Sequence, residues 1–185
     1  MDSVQLMAAM PGLPLHRAEE FLDPLNRALK EFQITTPPRV AAFFAQIGHE
    51  SGSLRYWREI WGPTAQQRRY DPPGALAVAL GNTEKGDGFR FRGRGPIQIT
   101  GRANYETFSA KLGLDLLAHP ELLELPEEGF RAAGLFWQSR ELNRLADQDT
   151  DESFEKITRR INGGTNGLAD RIKRWELARR AVGLQ

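Results

Sequence analysis

No cysteine occurs in the chain. Its absence removes disulfides, thiolate metal sites and cysteine nucleophiles together, and fits folding in a reducing compartment. Histidine is nearly as scarce, with His16, His49 and His119 the full set. His49-Glu50 lacks the second histidine of an HExxH site, so no metal and no cofactor is expected. A serine triad has no G-x-S-x-G elbow to rest on. No apolar run reaches membrane-spanning length, so stable membrane insertion is not expected. Charge of one sign is missing too: 25 basic against 24 acidic side chains leave +1. That balance gives little bulk attraction to nucleic acid, despite Arg90, Arg92 and Arg94 standing close together beside glycines. The first ten residues lack the basic n-region of an export signal, and Pro11-Gly12 soon breaks their weakly apolar run. Synthesis in the cytoplasm without an export signal is the expectation.

What is present reads as helix. A chain of 185 residues suits one compact domain, or one domain in two lobes, and no linker or repeat divides 1–185. A short helix is predicted over 3–10. An amphipathic one follows over 15–32, with Pro24 kinking it or starting a second segment. Thr36-Pro37-Pro38 supplies a capping hydroxyl and a first-turn proline for a dense apolar helix ending near Glu50. Residues 62–95 are irregular, with a short helix near 74–80. Phe89 and Phe91 alternate with Arg90 and Arg92, which allows a short strand or hairpin, so a small irregular or β-hairpin segment is expected near 85–95. Helical patterning returns near 102–112, 127–139, 141–147 and 151–161. A turn at 162–167 and a basic helix at 168–181 close the chain. The fold class is mostly α.

Two stretches carry chemistry. His49-Glu50-Ser51-Gly52 places a carboxyl at the end of an apolar helix, where partial burial favours a general acid. The alternative is an ordinary solvated glutamate. Arg92–Tyr105 reads RGRGPIQITGRANY, a glycine-loosened turn followed by neutral hydrogen-bonding side chains. In an extended segment Gln98 and Thr100 point to the same side. Thr100 otherwise serves as an N-cap. A second carboxylate completes a glycosidase pair. Glu59 is one candidate, with a salt bridge to Arg55 or Arg58 as its structural reading; Glu84 and Asp87 are rivals. Asn104 and Tyr105 open the next helix, where Tyr105 is equally a core residue. Asn162 contacts a sugar or simply makes its turn. Arg171 reaches a cleft or neutralises Asp170. Among Trp57, Trp61, Trp137 and Trp175, most are expected in the core, with one available for stacking on a sugar.

HESG at 49–52, Glu59, GRGPIQITGRANY at 93–105, INGG at 161–164 and DRIKRW at 170–175 together resemble the family 19 glycoside hydrolases, in order over most of residues 36–182. The stretch from Thr36-Pro37 into AAFFAQIGHESG looks more like the phage and bacterial branch than the plant enzymes. The resemblance implies a lysozyme-like, two-lobed helical fold with the cleft between lobes, and an inverting mechanism. It implies Glu50 as general acid, Glu59 as general base and Thr100 as a water-positioning residue. Gln98, Asn104 and Asn162 match substrate-contacting positions, with Tyr105 counted beside them, and Arg171 matches a basic position near the cleft. Lack of cysteine, shorter length and no secretion signal separate the chain from plant chitinases and weigh against chitin, though not against glycoside cleavage. The expectation is a monomeric phage or prophage endolysin acting on peptidoglycan glycan strands. It would wait in the cytoplasm of the infected or lysogenic bacterium and reach the wall through a holin pore. A chitinase, a lytic transglycosylase using Glu50 alone and a silent glycan-binding or virion module are the alternatives.

Overall fold

The structure is a computed structural model, and it describes residues 1–184. Helices dominate it. The main body is built from α1 (Ser3–Ala9), α2 (Leu15–Glu31), α3 (Pro37–Glu50), α8 (Pro126–Ser139), α9 (Leu142–Ala146), α10 (Asp151–Asn162) and α11 (Leu168–Ala181). Between α3 and α8 the chain makes α4 (Ala65–Arg68), α5 (Ala75–Leu80), α6 (Asp87–Arg90), α7 (Arg102–Leu112) and a 3-10 turn at Pro120–Glu124.

Local chemistry sets many of these limits. Reciprocal capping boxes start α1 (Asp2 with Gln5), α4 (Thr64 with Gln67) and α10 (Thr150 with Ser153). Left-handed glycines end α5, α7 and α10 at Gly81, Gly113 and Gly163. Thr36 precedes α3 without a side-chain cap bond, and the work of starting that helix falls to Pro37. Pro24 neither ends nor splits α2, which runs through it unbroken.

Helix α3 is the axis of the body. Nine of its fourteen residues, Val40 to Gly48, are buried, so it is apolar all round, as a central helix must be. It packs chiefly on α11, while α2 packs on α8 and α1 bridges α2 and α11. Phe21 stacks on Trp57 at 4.9 Å between centroids, and Phe130 meets both rings edge-on at 5.6 and 5.1 Å, tying the middle segment to the body. Trp57 lies so close over Gly129 that a Cβ there would sit 2.5 Å from its ring. Phe154 lies flat on Trp175 at 4.5 Å.

Of the two forms expected near 85–95, the irregular one holds, and Phe89 and Phe91 do not form a strand. Residues 87–90 make a helical turn, and the extended pairing lies further on. Arg94 bridges antiparallel to both Arg58 and Ile99. Glu59 N–H donates to Gly93 O at 2.8 Å and Gly95 N–H to Trp57 O at 2.9 Å. The cause is Asp87. It is buried, accepts the backbone N–H groups of Thr83 and Glu84 at 2.9 and 3.0 Å, and takes a two-pronged bond from Arg102. Those bonds wind 83–90 into a turn and leave Phe89 exposed and Phe91 buried.

Candidate active site

Glu50 is the last residue of α3, and its side chain is 24% exposed. Arg171 of α11 donates to its Oε1 and, through the other terminal nitrogen, to Gln46 Oε1 at 2.5 Å. Gln46 donates in turn to Thr158 of α10 at 2.9 Å. Glu50 Oε2 takes no bond from any described residue. The carboxyl therefore has one oxygen anchored in the core and one free. It lines a cavity of about 320 Å³ with Gln98, Thr100, Asn104 and Asn162, floored by Phe108, Phe136 and Ile161.

The opposite wall is the Gly95–Asn104 turn. Gln98 has φ +56, a left-handed conformation uncommon outside glycine, and its amide donates to Gly95 O at 3.0 Å. The simple extended geometry expected for Gln98 and Thr100 does not hold, yet both side chains still converge on Gly93. A Cβ on Gly93 would lie 2.6 Å from Gln98 Oε1 and 3.2 Å from Thr100 Oγ1. Thr100 donates to Gln98 O at 2.9 Å and does not cap α7. That helix starts after Gly101, where the Asn82 side chain accepts Arg102 N–H at 2.8 Å.

Glu59 meets the same glycine from the other side. Its Oε2 accepts Gly93 N–H at 3.0 Å, and its Oε1 accepts the Gln67 amide at 2.9 Å. Tyr70 stands beside it; burial first, then the charge of Glu59, pushes the phenol's pKa up, so it stays a donor. Each bond holds the carboxylate as an acceptor. Arg55 and Arg58 do not bond it, and Arg58 turns to Glu124 instead. Glu59 lines a second cavity, of about 640 Å³, with Arg55, Arg58, Arg92, Tyr56 and Trp61. The two glutamates thus line adjoining hollows that meet around Gly93, which Glu59 bonds and which Gln98 and Thr100 approach from the Glu50 side.

The rival carboxylates have other employment. Asp87 is clamped by Arg102, and Glu84 is an exposed partner of the same arginine at 3.5 Å. Two expected substrate contacts lie below the surface. Tyr105 is fully buried, donating to Arg92 O at 2.8 Å and accepting from Arg94 at 2.9 Å; burial raises its pKa to about 12. It shapes the turn from inside, the core role that its sequence position equally allowed. Arg171 is buried as well and braces Glu50, while Asp170 pairs with His49 and Arg174, both at 2.7 Å. Asn104 is exposed in the cavity and donates to Thr100 O at 2.7 Å. Asn162 lines the cavity too, but its amide closes the INGG turn at both ends, to Asn166 O and Gly164 N–H. Gln67 and Tyr70 escaped the sequence reading. Their only local signal is the T-x-x-Q capping box at 64–67, which marks a helix and not a site.

Comparison with known proteins meets this geometry. The profile of the family described as chitinase class I, glycoside hydrolase family 19, matches residues 32–164, a span that contains both glutamates and the whole GRGPIQIT turn. The chain belongs to glycoside hydrolase family 19. A family 19 domain-containing protein of Haemophilus influenzae is 36% identical over 156 residues, covering 72% of this chain and 74% of its own length. An endochitinase of Arabidopsis thaliana is 36% identical over 126 residues, 68% of this chain but 39% of the plant protein. In fold, chitinase C from Streptomyces griseus superposes with a TM-score of 0.76 at 22% identity, over all of this chain and 77% of that one. The family 19 chain is therefore a glycoside hydrolase with the lysozyme-like helical fold. No helix is long and apolar enough to cross a membrane among the described residues.

Proposed function

We propose that the chain hydrolyses the β-1,4 glycan of bacterial peptidoglycan by single displacement, as an endolysin that meets the wall once a holin-type protein has opened the membrane. The observation that carries the chemistry is the pair of glutamates on either side of Gly93, each anchored and each open to a cavity. Glu50 delivers a proton from its free oxygen to the glycosidic oxygen as the C1–O bond breaks. Glu59 takes a proton from a water whose oxygen bonds C1 from the opposite face, and the Thr100 hydroxyl helps hold that water. One water is consumed and the anomeric configuration inverts. Gln98 and Asn104 offer amide groups to the sugar's N-acetyl and hydroxyl groups. The described residues contain no cluster of His, Asp and Glu suited to a metal, and no step of this scheme calls for one.

Chitin is the second reading, favoured by the names of the plant and Streptomyces relatives. Mass spectrometry of digests separates the readings. Purified peptidoglycan should yield muropeptide fragments heavier by one water per cut, faster than chitin oligomers are cut. Products lacking that water would indicate an anhydro-forming transglycosylase. Turnover of chitin alone would move the assignment to a chitinase.

A further inference from the structure

The cavity beside Glu59 has a feature that the two-glutamate chemistry does not use. Arg92 lines it and is only 8% exposed, yet no carboxylate bonds it. One terminal nitrogen, Nη1, donates to Phe89 O at 2.8 Å, and the guanidinium lies over the Phe89 ring at 4.1 Å. Its Nε is sealed and unbonded. Nη2 has no partner among the described residues, and it is not one of the sealed atoms. The charged neighbours make matters worse: burial, Arg94 and Arg58 all push its pKa down. Nearby arginines are treated differently. Arg94 has Glu124 at 2.8 Å, and Arg102 has Asp87 at 2.6 Å.

A buried cation without a counter-ion is costly, and it is tolerated where a ligand brings the missing charge. Arg55 and Arg58 add positive charge to the same wall. The two carboxylates there are already engaged, Glu124 with Arg94 and Arg58, Glu59 with Gln67 and Gly93. Tyr56 and Phe89 are exposed, and Trp61 packs on Phe89 at 5.6 Å. That combination, aromatic faces with an arginine fork, suits a sugar ring bearing a carboxylate.

We propose that this cavity is a subsite for a carboxylate carried on the glycan, the lactyl-ether carboxylate of an N-acetylmuramyl residue, with Arg92 as its anchor and Arg58 as a second cation. The assignment rests on the cleft being a glycan site, and it gives the enzyme a reason to prefer a charged polymer over neutral chitin.

The test is binding, kept apart from turnover by using Glu50→Gln as a trap. Calorimetry compares a tetrasaccharide containing N-acetylmuramic acid with the same molecule whose lactyl carboxyl is a methylamide. The acid should bind about tenfold or more tighter than the amide, the scale of a charge-assisted hydrogen bond. Adding Arg92→Gln should collapse that ratio towards one. If this variant folds poorly, Arg58→Gln, at an exposed position, should still reduce the ratio, and so should raised salt. Equal binding of acid and amide overturns the subsite, as does a preference unmoved by either arginine change. A preference for the acid in a protein that cleaves no glycan would leave the subsite standing and remove the glycosidase reading instead.

Discussion

Glu50 and Arg171 show how one residue's chemistry depends on another 121 positions away. Arg171 holds the carboxyl by one oxygen and leaves the other unbonded by any described residue. Changing Glu50 to Gln keeps an acceptor for Arg171 but removes the transferable proton. Hydrolysis should fall by about 10²–10⁴-fold, the usual contribution of a general acid, with the far-ultraviolet circular dichroism at 25 °C unchanged. Reducing-end release at the unaltered rate would sink the role given to Glu50. Arg171→Leu attacks the bracket itself. It strands the buried Gln46 carbonyl oxygen and a half-buried carboxylate. Breaking a buried pair costs about 3–5 kcal/mol, and because Glu50 keeps some solvent the lower end applies here. Urea unfolding should therefore show a loss near ~3 kcal/mol; a loss under about 1 kcal/mol would mean the bracket is slack.

At the scale of elements, the turn from Arg92 to Thr100 joins the two halves of the chemistry. Glu59 bonds the Gly93 N–H, and Gln98 and Thr100 occupy the space a Cβ would need there. Gly93→Ala would force the Gln98 amide aside, a flexible group that moves cheaply. Stability should change little, while kcat/KM falls by about 10²-fold, as for a misplacement on the order of 1 Å. Equal losses of stability and activity would contradict this division. The neighbouring turn offers a pH test. Desolvation opposes it, but the Arg102 and backbone bonds win and hold the Asp87 pKa below its ordinary 3.8. The native state thus binds a proton less readily than the unfolded chain. The stability Asp87 contributes is full above pH 3.8 and is lost as pH falls through the lower native value. Asp87→Asn should flatten that acid limb in thermal melts taken from pH 5 to pH 2. An unaltered slope would mean other carboxylates dominate. This turn also marks where sequence stops being legible. Helices α3, α8, α10 and α11 announce themselves through apolar period, first-turn proline and glycine stops. Residues 83–90 do not, because Asp87 is captured by Arg102, fifteen positions away, and that overrides the alternation of Phe89 and Phe91. Glu50, Gln98 and Thr100 could be read from their motif. Gln67, Tyr70 and the Arg171 bracket could not, since each depends on a fold that brings distant segments together.

The whole molecule decides the stereochemistry. Glu50 belongs to the helical body, held by α11 and α10 through Arg171, Gln46 and Thr158. Glu59 belongs to the middle segment, held by α4 and the Gly93 turn. The two segments are locked by a continuous core in which Phe21 of α2 and Phe130 of α8 clasp Trp57, two residues before Glu59. The spacing between the carboxyls is thus fixed by packing and not by a flexible loop. A covalent glycosyl-enzyme would need both groups about 5–5.5 Å apart around one sugar, whereas a water-filled gap needs roughly 6.5–9.5 Å. The single displacement proposed above calls for the wider arrangement, with the Glu50 and Glu59 carboxyls reaching one anomeric carbon from opposite faces. Proton magnetic resonance during the first minutes of cleavage should therefore show the α-anomer of the new reducing end appearing first, relaxing later to the α/β mixture. Initial appearance of the β-anomer would mean a retaining path, and Glu59 would then have to be the nucleophile or not be part of the reaction at all. Shortening Trp57 to Leu should loosen the clasp without touching either carboxyl. If rigid spacing is what matters, kcat should fall while the product anomer stays α; if Glu59 were merely a surface ion, kcat would follow the Leu variant's stability and nothing more.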